Sequence, residues 1–170
     1  MNIKINTKDE ALKAMKELEE YIKGQEEEWV KIDYSVIPQT LFEKYGIKPF
    51  EIMKRKMRKN GEVWDNINYF DAKKEAEKLG YRLPNVREQL MLLEHYSNTQ
   101  TPDIHDTEFL GIEELSYDEK VYLEWIEFND KIGFLRGGGW YYGAGAGVET
   151  LALNSAPGST DSYVGFRCVR

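Results

Sequence analysis

The C-terminal tail, residues 135–170, differs in composition from the rest of the chain. Between positions 135 and 147 glycine, tyrosine and alanine replace almost all charged residues, and a short apolar segment follows at 164–168. Such a glycine-rich run has neither helical nor strand periodicity, whereas the apolar residues around it favour burial. The pattern predicts exposed loops carried by a few buried strand residues.

Size and charge limit what this tail can belong to. A chain of 170 residues suffices for one domain with a hydrophobic core. The net charge of -7 repels phosphate backbones, so we expect no nucleic-acid partner. The single cysteine, Cys168, excludes an intramolecular disulfide and a cysteine-pair metal site. The N-terminus turns polar too early for a signal peptide and no apolar run is long enough to cross a bilayer, so we expect no membrane insertion.

The first helix is predicted from a capping box. Thr7 and Glu10 have the spacing at which each side chain bonds the other's backbone amide, so a helix begins at Lys8, and Gly24 is placed to end it. Its apolar residues recur at helical spacing, which predicts packing on one side of the domain; a partner-binding amphipathic helix is the alternative. These residues are Leu12, Met15, Leu18 and Ile22.

Between this helix and residue 62 we predict a strand at 29–34 and helices at 40–45 and 49–59. The last of these turns a basic cluster to solvent and apolar residues inward. The basic residues are Lys54, Arg55, Lys56, Arg58 and Lys59, and the apolar ones Ile52, Met53 and Met57.

The following stretch predicts a strand at 63–67 and two capped helices. Asn68 with Asp71, and Asn85 with Glu88, have the spacing of N-caps, and Gly80 ends the first helix, whose buried face holds Ala72, Ala76 and Leu79. A long polar loop at 97–118 and a hairpin, 121–126 with 131–135, complete the body.

The order of these pieces resembles the C-type-lectin-type domain of the formylglycine-generating enzyme and sulfatase-modifying family. The shared pieces are 68–72, 79–85 with Glu88, Glu124-Trp125, 135–138 and 165–167, over about the last two thirds of the chain. Within this part of the chain, 136–144, 154–157 and 164–168 are similar to the variable region of proteins diversified by retroelements. The spacing of the glycines, Ala156-Pro157 and the Gly-Phe-Arg-Cys ending all agree.

This resemblance implies a mechanism of sequence change. An error-prone reverse transcriptase rewrites template adenines, so Asn codons give many residue types but not Lys, Gln, Glu, Met or Trp. After Lys131 the chain has no Lys, Gln, Met or His. Trp140 is therefore read as scaffold, while Glu149 and Thr150 stay undecided. The implied variable, ligand-binding positions are Gly139, Tyr141, Tyr142, Gly145, Ala152, Asn154, Ser155, Ser159, Asp161 and Tyr163.

The residue types at these positions favour binding independently of the family. Tyrosine offers a large amphipathic contact area at low entropic cost and Ser, Gly and Asn offer adaptable hydrogen bonds, the mixture found in antibody paratopes. Apolar and glycine positions between them are expected to form a fixed framework. That framework comprises Arg136, Gly137, Gly138, Trp140, Val148, Leu151, Leu153, Val164, Gly165, Phe166 and Arg167.

Two other functions are alternatives to ligand recognition by the tail. A formylglycine-generating-enzyme-like activity needs a copper-binding cysteine pair, whereas this chain has only Cys168; His95 and His105 have no nucleophile-elbow context. A calcium-dependent carbohydrate-binding lectin lacks its ligand motifs here, although Asp103, Asp106 and Glu108 would supply some oxygens. We therefore expect no enzyme activity, no cofactor and no bound metal.

The sequence thus predicts an α+β protein with a C-type lectin-like fold. Residues 1–62 are expected to form a helical and strand extension packed on a domain at 63–170, with its variable region at about 136–168. We expect a monomer whose partner is a macromolecule, a protein on a cell surface. Its own location, virion or cytoplasm, is left open.

Overall fold

The computed structural model describes residues 7–25, 28–99, 108–113, 121, 123–137, 151–153 and 155–170. Four helices lie within these ranges: α1 (Lys8–Gln25), α2 (Gln39–Tyr45), α3 (Tyr69–Lys78) and α4 (Val86–Thr99). Ten short strands accompany them, which confirms the predicted α+β class. The strands are β1 (Trp29–Ile32), β2 (Phe50–Met53), β3 (Arg58–Lys59), β4 (Glu62–Val63), β5 (Glu108–Phe109), β6 (Ile112–Glu113), β7 (Leu123–Asn129), β8 (Ile132–Arg136), β9 (Leu151–Ala152) and β10 (Val164–Gly165).

A four-stranded sheet carries the C-terminal tail. Its strand order is β10-β7-β8-β9, with β10 parallel to β7 and the other neighbours antiparallel. The β7–β8 hairpin turns at 129–132, where the sequence predicted it, because the Asn129 side chain accepts from the amides of Lys131 and Ile132. Three two-stranded ladders, β1-β2, β3-β4 and β5-β6, complete the pairing among the described residues.

The predicted helix caps are confirmed. Thr7 and Glu10 bond reciprocally at 3.2 Å in each direction, the Asn68 side chain accepts from the Asp71 amide, and Asn85 and Glu88 form a second reciprocal box at 2.9 Å. All three signals depend on residues three positions apart, so the sequence alone was sufficient to find them.

The helix predicted at 49–59 is wrong, because this stretch forms β2, a bend at 54–55 and β3. Ile52 pairs with Val30 of β1 and forms a bridge to Val169 near the C-terminus. The predicted inward residues Ile52, Met53 and Met57 are nevertheless buried. Strand pairing on both sides of β2 therefore outweighs the local helical pattern.

The basic cluster within this stretch is not one solvated face. Lys54 pairs with Glu28, Arg55 pairs with Glu113, and Lys59 lies 4.6 Å from the centre of the Trp64 ring. Lys56 is buried. The residues diverge because the chain bends at 54–55 between β2 and β3, so they do not share one helical face.

Helix α1 does not bury its apolar stripe as predicted. Leu12, Met15 and Leu18 are 49%, 59% and 57% exposed, and the Ile22 side chain lies outside the described residues. Leu79 at the end of α3 is also exposed, while Ala72 and Ala76 are buried as expected. In the described part of the chain, no helix has the length and apolar character needed to cross a membrane.

Two buried clusters form the core. The first lies beneath the four-stranded sheet and includes Tyr69, Leu83, Trp125 and Phe166. The second joins α2 and α4 to β2 and the β5–β6 hairpin, through residues such as Phe42, Met91, Tyr96 and Phe109. That hairpin occupies part of the stretch predicted as a loop.

Candidate functional site

The tail leaves the sheet and returns to it at neighbouring positions. Arg136, the last residue of β8, pairs with Leu151, the first residue of β9. Gly137 follows with φ of 89° and is buried, a backbone conformation that residues with a Cβ rarely adopt. The chain therefore leaves β8 and re-enters the sheet in β9 at paired positions.

A buried carboxylate holds both ends of the predicted variable region. Arg136 donates from Nε to Oε1 of Glu124, and Arg167 donates from Nε to Oε2 of the same residue at 2.8 Å. The side chain of Arg136 is 3% exposed, that of Arg167 1% and that of Glu124 0%. We call these three residues the buried triad. It ties the start of the tail, its end and β7 to one point.

Other nitrogens of the two arginines also have hydrogen-bond partners. Arg167 donates from Nη1 to the carbonyls of Met53 and Lys54 at 3.2 Å each, and from Nη2 to that of Glu113 at 2.7 Å. Nη1 of Arg136 donates to the Gln89 side chain at 3.3 Å. This matters because a buried charge without partners is strongly unfavourable. Strands β2, β6 and β7 and helix α4 thus meet at the triad.

Electrostatics keep the central carboxylate ionised. Burial alone would raise the pKa of Glu124, but the positive charges of Arg136, Arg167 and Lys56 lower that pKa to about 2. The triad therefore stays charged throughout the physiological pH range.

The second half of the tail is held through its backbone. The carbonyl of Pro157 accepts from the Tyr69 amide at 2.9 Å, that of Asp161 from Asn66 at 3.1 Å, and that of Tyr163 from Leu123 at 3.0 Å. None of these bonds uses a side chain of the tail. At 157, 161 and 163 the path of the chain is thus held by main-chain groups.

The predicted binding residues fall into three groups. Ser159 and Asp161 are exposed, as a contact surface requires. Ala152, Ser155 and Tyr163 are half-buried, and Ala152 and Tyr163 pack against the first core cluster, so these two are less exposed than predicted. Their positions next to β8 and β10 account for this. The other five lie outside the described residues: Gly139, Tyr141, Tyr142, Gly145 and Asn154.

Most of the described framework residues are buried. Val164, Phe166 and Arg167 are 2% exposed or less, and a methyl group at Gly165 would lie 2.9 Å from the Trp64 carbonyl oxygen. Leu153 contradicts the prediction, since it is 61% exposed just beyond the end of β9, and Leu151 is half-buried. Gly138, Trp140 and Val148 lie outside the described residues, as do Glu149 and Thr150.

The residues weighed for chemistry do not assemble into a site in the described part of the chain. Cys168 is buried, and the half-buried His95 packs near Phe109 at 6.0 Å, where desolvation lowers its pKa. Among described residues, no group of three or more His, Cys, Asp or Glu is placed to hold a metal ion. His105, Asp103 and Asp106 lie outside the described residues, as does the side chain of Glu108.

Sequence reasoning missed the role of Glu124 and Asn66. Glu124 was noted only as part of a motif, although a carboxylate between Leu123 and Trp125 in an apolar strand signals a buried partner. Asn66, whose amide holds the Asp161 carbonyl, has φ of 52°. Its only sequence signal is the tolerance of asparagine for this conformation.

Comparison with known proteins gives weak similarities. No protein-family model and no curated protein matches the chain. Two solved structures match: the Major Tropism Determinant M1 variant, with a TM-score of 0.44 and 13% identity over 83% of this chain, and the U1 variant, with 0.42 and 14% over 75%. The chain spans about half the length of these proteins, 48% and 46%. At TM-scores below 0.5, function has to be argued from the chain's own residues.

Proposed function

We propose that this chain is a non-enzymatic ligand-binding protein with a C-type lectin-like fold. Its tail, 136–168, is the recognition region, and the side chains displayed there are diversified by retroelement adenine mutagenesis. The partner is a macromolecule, a protein on a cell surface, and the binding protein is a monomer. Residues 1–62 are an extension of the domain at 63–170.

The buried triad is the observation that carries this proposal. A region whose two ends share one buried carboxylate, and whose path is set by backbone hydrogen bonds at 157, 161 and 163, keeps its conformation when exposed side chains change. Recognition surfaces on rigid scaffolds use this separation of framework and contact residues. Ser159 and Asp161 have the exposure that such contact residues need.

Stability measurements test the separation within this chain. Ser159→Ala and Asp161→Ala should each change the free energy of unfolding by less than about 0.5 kcal/mol, because exposed side chains away from special features contribute little. Phe166→Ala, the internal control, should cost about 3–5 kcal/mol, because it empties a fully buried site against Trp64. Equal losses in all three variants would contradict the proposal.

The DNA around the gene tests diversification itself. We expect a nearby near-copy of the sequence coding for the tail, differing from it mainly at adenines, together with a reverse-transcriptase gene. Differences spread evenly over all four bases would argue against adenine mutagenesis. Metal analysis of the purified protein separates the alternatives, since bound copper would favour the enzyme and bound calcium the lectin.

A further inference from the structure

A pocket outside the predicted variable region, 136–168, concentrates positive charge in a protein of net charge -7. It has a volume of about 280 Å³ and lies where the end of α2 and the start of β2 meet the start of α4. Four cationic side chains and one carboxylate line it. These are Lys48, Arg82, Arg87 and Arg170, with Glu88.

Two of these cations already have partners. Arg82 donates from Nη1 and Nη2 to the Glu88 carboxylate at 3.0 and 2.5 Å, and Glu88 is 1% exposed. Arg170 donates from Nε to Glu51 at 2.8 Å, with its guanidinium 4.2 Å from the centre of the Trp29 ring. Both pairs hold the pocket wall, and Arg82 neutralises Glu88, the carboxylate that lines the pocket.

The other two cations, Lys48 and Arg87, have no ion pair or hydrogen bond within the part of the chain that the structure describes. The Arg87 guanidinium lies against Gly46, since a methyl group built on that glycine would be 3.6 Å from Nη1. Gly46 has φ of 64° and ends α2, so the wall beside Arg87 is bare backbone. A full guanidinium fork and an ammonium group are thus left to face a ligand.

We propose that this pocket binds a phosphate or sulfate group of a small anionic ligand. Arg87 would bind two of its oxygens through the planar fork, and Lys48 would add a second positive charge. A concave site lined by one sign of charge also focuses the field that attracts an anion. None of the pocket residues belongs to the predicted variable set, so this site is separate from the predicted variable positions.

The proposal is tested by calorimetric titration with inorganic phosphate and, separately, with sodium sulfate. Chloride keeps the ionic strength constant in both titrations. We expect saturable binding of at least one of the two anions, and the response to each shows which group the pocket prefers. The double variant Arg87→Gln/Lys48→Gln should bind the anion at least about tenfold more weakly than the unmodified protein, because it loses charge-assisted hydrogen bonds. Arg87→Lys keeps the positive charge but loses the planar guanidinium fork. Its affinity for the anion should lie between those of the unmodified protein and the double variant.

The control is Lys74→Gln/Lys131→Gln, which removes the same charge at exposed positions outside the pocket. This variant should bind as the unmodified protein does. Circular dichroism melts identify any variant that fails to fold. If the double variant does not fold, the anion affinity of Arg87→Lys is compared with that of the unmodified protein instead. The proposal is overturned if neither anion binds saturably, or if pocket and control variants lose affinity equally.

Discussion

Glu124 shows how much of this fold depends on a single side chain. It accepts from both Arg136 and Arg167, residues 12 and 43 positions away, and all three are buried. Whether such a triad is more stable than an apolar replacement is a separate question, but removing one member leaves charges buried without a partner. Its contribution should therefore be measured by truncation and by pH.

Glu124→Ala should lower the free energy of unfolding by about 3–5 kcal/mol, because two buried guanidinium groups lose their carboxylate. Glu51→Ala removes the exposed partner of Arg170 and should cost less than about 1 kcal/mol. Urea unfolding of both variants measures the difference. Similar losses would mean that the triad is not buried.

The same carboxylate predicts an acid transition. In the folded protein the pKa of Glu124 is about 2, whereas its ordinary value is 4.5, so between these values the unfolded chain binds more protons. Stability from the triad is full above about pH 4.5 and falls as the pH drops toward 2. Unfolding midpoints across this window should fall more steeply for the unmodified protein than for Glu124→Gln. Parallel curves would contradict this assignment.

Gly133 gives a prediction about close packing. A methyl group there would lie 2.2 Å from Cδ2 of Tyr69, a fully buried ring whose hydroxyl donates to the Asn129 carbonyl. Gly133→Ala should cost about 1–3 kcal/mol or more, because the ring has no free space to move into. Gly158→Ala, with nothing within 4 Å, should change stability by less than about 1 kcal/mol. Thermal melts compare the two, and an unaffected Gly133→Ala variant would be inconsistent with this packing.

Among the elements, helix α1 and strand β2 show where a local pattern misleads. Both carry apolar residues at helical spacing, yet β2 is a strand and α1 leaves its stripe exposed. In each case strand formation or burial depends on which residues of the folded protein pack against the segment. Residues adjacent in sequence do not carry that information. The capping boxes were predicted correctly because both partners lie within four residues.

The exposed stripe of α1 has a measurable consequence. Replacing Leu12, Met15 and Leu18 together by Gln should shift the melting temperature by only a few degrees, because none of the three side chains is buried. Leu83→Ala, at a 1% exposed core position, should cost about 2–5 kcal/mol. A collapse of the triple variant would show that α1 packs on the domain, as the sequence alone had suggested.

At the scale of the molecule, the sequence was sufficient for the α+β class, the capped helices and the β7–β8 hairpin. The division of the tail into framework and displayed residues stays a prediction. The sequence was not sufficient for the buried triad, the exposure of Leu153 or the half-burial of Tyr163. The triad joins strands distant in sequence, and the other two depend on the edge of a short strand and the surface beside it. Pairings over long sequence separations are set by the tertiary structure, which spacing does not encode.

The pairing of Arg136 with Leu151 also bears on how long the connection between β8 and β9 can be. Fourteen residues separate these paired neighbours along the chain, whereas the pairing itself involves only β8 and β9. Doubling such a connection adds only about 0.6 kcal/mol of closure entropy. The sheet edge is therefore a suitable graft site, where inserted peptides of different lengths can be carried on an otherwise unchanged protein.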